Sequence, residues 1–328
     1  MTANDSPPSA LTAVAPGKLV LCGEYAVLVG APALVMAVDR CVRAELTPRD
    51  TESQTWRFDA IGFAGSSTHP AEELADPSTF NDSDPARLWA HALATVGQDP
   101  SMAHACLLDT SAMYAKSGRK LGLGSSAAST VACCGLLAAR SGRQLTFDLA
   151  KAAHSASQGG VGSGLDIAAS MHGGLIRFAS GHTEPRAWPN NLYYRFIDTG
   201  VAASTPPLVR RFDAWRQGGI PAPLQALIDA ATTLADEALN LDNLARYAAA
   251  LEAMDRSAGI GIYSAEHRDC QSAAEACGVV YKPCGAGGGD LGIAISDGPD
   301  QLDRFARGIA KNYATIELGI AQHGLIVR

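Results

Sequence analysis

Arg119-Lys120-Leu121-Gly122-Leu123-Gly124-Ser125-Ser126-Ala127-Ala128 runs straight into an apolar helical stretch that ends near Gly142. Two glycines let the backbone turn tightly and leave amide N–H groups uncovered. A helix that starts at Ser125 or Ser126 directs the positive end of its dipole into the same space. That space suits a phosphate. Lys120 and Arg119 add mobile positive charge beside it, and the serine hydroxyls can cap the helix or reach a metal ion held by the phosphates. Taken alone, the pattern is equally that of a glycine turn with an ordinary serine cap.

Two further segments tip the balance. One is Ala15-Pro16-Gly17-Lys18-Leu19-Val20-Leu21-Cys22-Gly23-Glu24-Tyr25, the other Lys282-Pro283-Cys284-Gly285-Ala286-Gly287-Gly288-Gly289-Asp290-Leu291-Gly292. With residues 119–128 between them, the three resemble the signature motifs of the GHMP kinase superfamily, in the family's order. Ser157-Gln158-Gly159-Gly160-Val161-Gly162-Ser163-Gly164-Leu165-Asp166 and Thr199-Gly200-Val201-Ala202-Ala203-Ser204-Thr205-Pro206 resemble the phosphomevalonate branch in particular. The likeness covers nearly the whole chain.

Composition sets outer limits. A length of 328 residues allows one large or two medium domains with a substantial core. A net charge of −7 argues against a nucleic-acid partner, which normally demands a basic face. The lysines are Lys18, Lys116, Lys120, Lys151, Lys282 and Lys311, and most of them stand in or just before a glycine motif. Eight cysteines show neither CxxC nor Cys/His ligand spacing, so buried free thiols are expected rather than zinc or disulfides. No window of about 18 uninterrupted apolar residues occurs and no signal peptide is evident, so a cytoplasmic protein without a membrane partner is expected. A monomer and a homodimer stay equally open.

Hydrophobic periodicity predicts strands at 11–14 and 18–22 around a Pro16-Gly17 turn, then at 35–46, 56–63, 106–109, 174–178, 193–198, 279–282, 292–295 and 324–327. Helices are predicted at 86–95, from Ser125 to near Gly142, and at 148–158, 167–171, 207–215, 224–239, 244–254, 264–276 and 300–308. Residues 69–85, rich in Pro, Ser and Asp, read as a mobile loop or an insertion, and 1–9 as a frayed end. The fold class is α+β with two sheets. The resemblance implies a GHMP kinase fold: an N-terminal ATP-binding domain (1–185) of the ribosomal protein S5 domain 2-like type, and a ferredoxin-like α/β sandwich C-terminal domain (186–328). The site falls between them.

Phosphoryl transfer needs neutralised charge on the nucleotide and an aligned acceptor oxygen. The resemblance supplies roles. ATP is cradled by Lys120, Gly122, Leu123, Gly124, Ser125, Ser126 and Ala127, with Ser126 as a Mg²⁺ ligand. Asp166 stands where the family has its proposed catalytic base, and Lys18 where it has the lysine that steadies developing negative charge. From sequence alone, a helix-cap carboxylate fits Asp166 as well. The acceptor site takes in Lys18, Tyr25, Gln158, Ser163, Gly164, Gly285, Ala286, Gly287, Gly288 and Asp290. One departure concerns the metal: mevalonate kinases typically offer a Mg²⁺-binding glutamate on the helix before the aspartate, and residues 151–158 here hold no acid. Either Asp148 approaches, or water and phosphate oxygens complete the shell.

Tyr25 where mevalonate kinases usually have histidine, Asp290 after the third glycine run, and the 158–162 bend all resemble the phosphomevalonate branch. The expected acceptor is therefore a phosphorylated small molecule, (R)-5-phosphomevalonate. Lys116, Arg119, Lys120 and Lys282 are candidate cations for its phosphate. A mevalonate kinase is the nearest alternative. A catalytically silent ligand sensor on the same fold is another, disfavoured by the retention of Lys18, Ser126 and Asp166. A dinucleotide oxidoreductase would need GxGxxG after a strand with an acid about 20 residues on; Gly122-Leu123-Gly124-Ser125-Ser126-Ala127 has alanine for the third glycine, which that fingerprint sometimes allows.

Overall fold

The computed structural model describes residues 10–49, 54–63, 65–160 and 162–328. The polar end 1–9 and Val161 of the glycine bend, both read from the sequence above, lie outside the described residues. In chain order the main elements are β1 (Leu11–Cys22), β2 (Ala33–Pro48), β3 (Thr55–Ile61), β4 (Ser66–Pro70), α1 (Ala86–Val96), β5 (His104–Asp109), α2 (Ser125–Arg140), α3 (Phe147–Gln158) and α4 (Leu165–His172). There follow β6 (Leu175–Ala179), β7 (His182–Arg186), β8 (Tyr193–Asp198), α5 (Thr205–Trp215), α6 (Ala222–Asp236), α7 (Leu241–Ala258), α8 (Ala265–Glu275), β9 (Val280–Pro283), β10 (Leu291–Ser296), α9 (Pro299–Ile309), β11 (Ala314–Ile316) and β12 (Ile326–Val327).

Two sheets result. The first has the order β12-β1-β2-β5-β3-β4, with β6 and β7 branching from β2, and the second the order β11-β8-β10-β9. Numbered within itself, the second sheet runs fourth, first, third, second, and all its pairings are antiparallel. Helices α5 to α8 join its first two strands and α9 its last two, which is the split β-α-β arrangement expected of the ferredoxin-like part.

The predicted break at Pro16-Gly17 is a correction to make: β1 continues through it. Pro16 pairs with Cys41 and Gly17 with Val38, so Asp39 and Arg40 bulge out of β2 between them. Proline, having no N–H to give the ladder, is tolerated at such a bulge. Gly17 has no room for a side chain, since the Leu123 carbonyl oxygen stands 2.7 Å from where a Cβ would sit. Residues 69–85 are likewise an ordered structure. Asp84 accepts from Ser67 Oγ at 2.7 Å and lies 3.0 Å from His69 Nε2, pinning β4 to the start of α1. β7 and β11 are strands that periodicity did not predict.

Helix α2 is buried continuously from Ala127 to Ala138. Its alanines, cysteines and Gly135 are what such a position requires, because β1 and β2 cover one side and α1, α3 and α4 the others. One core runs through both halves: Leu21, Trp56, Trp89 and Leu136 belong to the same cluster as Phe212, Leu224 and Leu251. The first sheet and the helices α5 to α7 are therefore held in one packed interior, and the glycine motifs meet where they join. All eight cysteines are free thiols, six of them buried. Among the described residues, no helix is long and apolar enough to cross a membrane.

Candidate active site

The first two motifs touch through backbone. Lys18 N–H donates to the Leu123 carbonyl at 2.8 Å, and the methylenes of the half-buried Lys18 side chain lie across Gly124, 3.0 Å from where its Cβ would be. Gly122 and Gly124 both hold φ 73, the left-handed region that only glycine enters without cost. This corrects the expected cap. Gly124 occupies the N-cap of α2 and no side chain bonds there, so the first-turn amides are left without a hydroxyl over them. Ser125 is buried. Ser126 Oγ instead meets His154 Nε2 of α3 at 3.0 Å. His154 lies within residues 151–158, the segment that holds no acid, so an imidazole stands at the place where an acid was expected. Asp148, the acid considered as a substitute, is exposed at the opposite end of α3.

Motif three closes from the other side. Asp290 Oδ2 stands 2.5 Å from the position of a Gly122 Cβ. Tyr25 OH donates to the Ala286 carbonyl at 2.6 Å, tying the turn after β1 to the 285–289 loop. Tyr25 and Asp290 both adopt positive φ, 61 and 56, a strained state for residues with a Cβ that surrounding bonds must hold. For Asp290 those bonds come from the 199–204 segment. Its amide donates to the Val201 carbonyl at 2.7 Å, and its Oδ1 accepts from Ala203 N–H at 3.2 Å. Burial raises the Asp290 carboxyl above its ordinary range, against the pull of the Ala203 amide, Arg119 and Lys18. Behind the loop, His267 of α8 donates from Nε2 to the Gly289 carbonyl at 2.9 Å, while Nδ1 accepts from Tyr281 OH at 2.8 Å. A carbonyl can only accept, which fixes that tautomer.

Asp166 sits half-buried in the first turn of α4, where its Oδ1 accepts the Ile167 amide at 3.0 Å. Helix α4 is tied to β1 one turn further on: Ser170 Oγ donates to the Pro16 carbonyl at 2.8 Å. This brings the two predicted catalytic residues onto adjoining elements. No ion pair joins Lys18 to Asp166. Ser163 Oγ accepts weakly from Leu165 N–H at 3.4 Å, and Gly164, at φ 85, begins α4 beneath Phe147 and the Lys151 stem.

A cavity of about 260 Å³ opens at the α2 N-terminus, lined by Lys120, Ser125, Ser126 and Gln158 together with Phe63, Tyr114, Arg87 and the carboxylates of Asp82 and Asp84. Gln158 thus lies beside the phosphate loop. A larger cavity, about 610 Å³, opens at the Asp39-Arg40 bulge; Asp39, Arg40, Arg195 and Glu317 line it, two charges of each sign, and none of the three glycine motifs does.

The four candidate cations separate. Lys120 is exposed at the cavity edge, and Lys116 is exposed in solvent nearby. Arg119 pairs with Asp198 and lies 3.9 Å from Asp290. Lys282 is a correction: it is buried and 2.6 Å from Glu24, so it is spoken for within the protein and is not a phosphate ligand. Glu24 stands in the first motif, but its pairing with Lys282 and Tyr247, far off in sequence, left no local mark, and nothing in the pattern around Tyr247 singles it out.

Amide-rich loops over a helix N-terminus, a lysine laid across them and a carboxylate on the neighbouring helix define an anion site built for phosphoryl transfer. Comparison with known proteins agrees. Residues 113–174 match the GHMP kinases N-terminal domain. Over 88% of its length the chain is 31% identical to the phosphomevalonate kinase of Streptomyces sp. (strain CL190), covering 90% of that protein. The crystal structure of the Lin0012 protein from Listeria innocua superposes with a TM-score of 0.77 at 23% identity, over 98% of this chain and 99% of that one. The Streptococcus pneumoniae phosphomevalonate kinase in complex with phosphomevalonate and AMPPNP superposes at 0.69 with 19% identity, over 95% and 100%. The protein is a small-molecule kinase. It belongs to the GHMP kinase family, whose members use ATP.

Proposed function

We propose that this kinase transfers the γ-phosphoryl group of ATP to (R)-5-phosphomevalonate in the cytoplasm, giving 5-diphosphomevalonate and ADP. Whole-length likeness to a phosphomevalonate kinase carries this reading of the acceptor. Residues 1–185 form the nucleotide-binding part in this reading and 186–328 the part that closes over the acceptor.

Two polyanions must then share one cleft. The α2 N-terminus, its free first-turn amides and Lys120 receive the β- and γ-phosphates, and the base enters the cavity toward Phe63 and Tyr114. The lining there offers serine hydroxyls together with Asp82 and Asp84, which are already paired with Arg87 and with Ser67 and His69, and no group of three or more metal-ligating side chains gathers among the described residues, which fits a Mg²⁺ that would be carried in mainly by phosphate oxygens and water. Ser126 would hold it from the protein side. When bound, Mg²⁺ neutralises charge on the β- and γ-phosphoryl oxygens.

A bond forms from an acceptor phosphate oxygen to the γ-phosphorus as the bridge to the β-phosphate breaks. Lys18 faces the charge that develops between them. Because the acceptor oxygen is already anionic near neutral pH, Asp166 orients Lys18 or the bound acceptor more than it removes a proton. Tyr25, Ser163, Gly164 and the 285–290 loop shape the acceptor side. A coupled ADP-release assay over 5-phosphomevalonate, mevalonate, galactose and homoserine tests the assignment. Turnover confined to 5-phosphomevalonate is expected; turnover of mevalonate in its place overturns it.

A further inference from the structure

The turn after the Lys18 strand is gripped from the second half of the molecule by a buried polar cluster that the transfer step leaves unused. Glu24 Oε1 lies 2.6 Å from Lys282 Nζ, with both side chains 1% exposed. The ammonium also donates to the Val20 carbonyl at 3.3 Å. Tyr247 OH donates to the other carboxylate oxygen at 2.5 Å, and its oxygen receives the amides of Gly23 and Glu24 at 2.9 and 3.0 Å. Both carboxylate oxygens and the phenol are thereby satisfied. Burial pulls the Lys282 ammonium toward neutrality, but Glu24, with Cys284 and Cys22 beside it, outweighs that pull and leaves the Lys282 pKa raised.

The placement of the cluster is more telling than its strength. Glu24 ends the segment that carries Lys18, and Lys282 leads through Pro283 and Cys284 directly into the 285–289 loop. Tyr25, next to Glu24, bonds the loop itself at Ala286. The first and third motifs are therefore fastened to each other twice, once at the root of the loop and once at its tip. A buried ion pair contributes little net stability, but its fixed N···O direction admits one relative placement where an oily contact would admit several.

We propose that Glu24, Lys282 and Tyr247 are positioning residues for phosphoryl transfer, setting the distance between the 285–289 loop and Lys18. This rests on transfer taking place between these motifs, not on which acceptor is used.

The double variant Glu24→Gln/Lys282→Met tests it, because it removes both charges together and leaves no buried ion unpaired. Melting temperature, the Kd of a fluorescent ATP analogue and steady-state kinetics are compared with the wild type, using the acceptor that the wild type turns over. The expected result is a folded protein whose nucleotide Kd stays within about threefold while kcat falls at least about 30-fold and the acceptor KM rises. Wild-type kcat in the folded double variant overturns the proposal. So does a loss of kcat matched by an equal loss of nucleotide affinity, which is what a merely structural role predicts. Should the double variant fail to fold, Tyr247→Phe decides: kcat falls roughly 5-fold at unchanged nucleotide Kd, and an unchanged kcat overturns the proposal. A wild type that prefers mevalonate overturns the acceptor assignment above and leaves this test as it stands.

Discussion

Lowering the pH should loosen this protein through one imidazole. His267 is buried behind the third glycine motif, with Tyr281 OH on one nitrogen and the Gly289 carbonyl on the other. Burial, against the Gly289 bond and the neighbouring Glu266 and with help from Lys282, holds its pKa down from 6.5 to about 4. Between those two values the unfolded chain carries a proton that the folded chain lacks, so stability falls as pH drops through that window. A separation of about 2.5 units at 1.36 kcal/mol per unit sets a ceiling of roughly 3.4 kcal/mol, of which about 2.5 kcal/mol is lost by about pH 4.5. Denaturant unfolding of the wild type and His267→Gln, repeated from about pH 7.5 to about pH 4.5, isolates this contribution, since carboxylate titrations common to both cancel in the difference. The advantage of the wild type over the variant should shrink by about 2.5 kcal/mol across that range. A difference that stays constant with pH refutes the reasoning.

Three further outcomes are expected. Asp166→Ala and Lys18→Met should each lower kcat by at least about 100-fold with ATP affinity retained in equilibrium binding, and near-normal turnover removes the residue from the transfer step. Gly122→Ala forces a Cβ into left-handed backbone 2.5 Å from Asp290 Oδ2, so melting should show a loss of roughly 1 to 2 kcal/mol together with a slower ADP release; an unaltered protein contradicts the contact between motifs two and three. His154→Phe and Ser126→Ala should raise the Mg²⁺ concentration for half-maximal rate by a similar factor, about 5-fold, and the double variant by no more than either alone. Additive effects would mean that the two side chains act separately.

The motifs were legible because their chemistry is local. Gly122, Gly124 and the 285–289 run need left-handed backbone or close approach, and composition announces that directly. The antiparallel core strands and most helices followed from periodicity for the same reason. What escaped was decided at a distance. Glu24 meets Lys282 across 258 residues of sequence, and Lys282 beside a glycine loop looks like a phosphate ligand until its partner is known. Ser125 and Ser126 have the composition of a cap, yet the chain turns at Gly124 and the Ser126 hydroxyl goes to His154. β7, with the sequence His182-Thr183-Glu184-Pro185-Arg186, is polar, carries a proline and pairs only with β6, so no alternation betrays it. β11 is too short for any period to show.

Ala13 and Val14, near the start of the strand that bears Lys18, find their outer neighbours in Val327 and Ile326. Synthesis delivers β1 early and β12 only after every other strand. At about 5 to 20 residues per second, the outer edge of β1 waits roughly 15 to 60 s on the ribosome before its native partner emerges. During that interval it offers unpaired amides and carbonyls to any passing extended chain. A version permuted so that residues 326–327 are translated just ahead of β1 should close that edge sooner and aggregate less during synthesis.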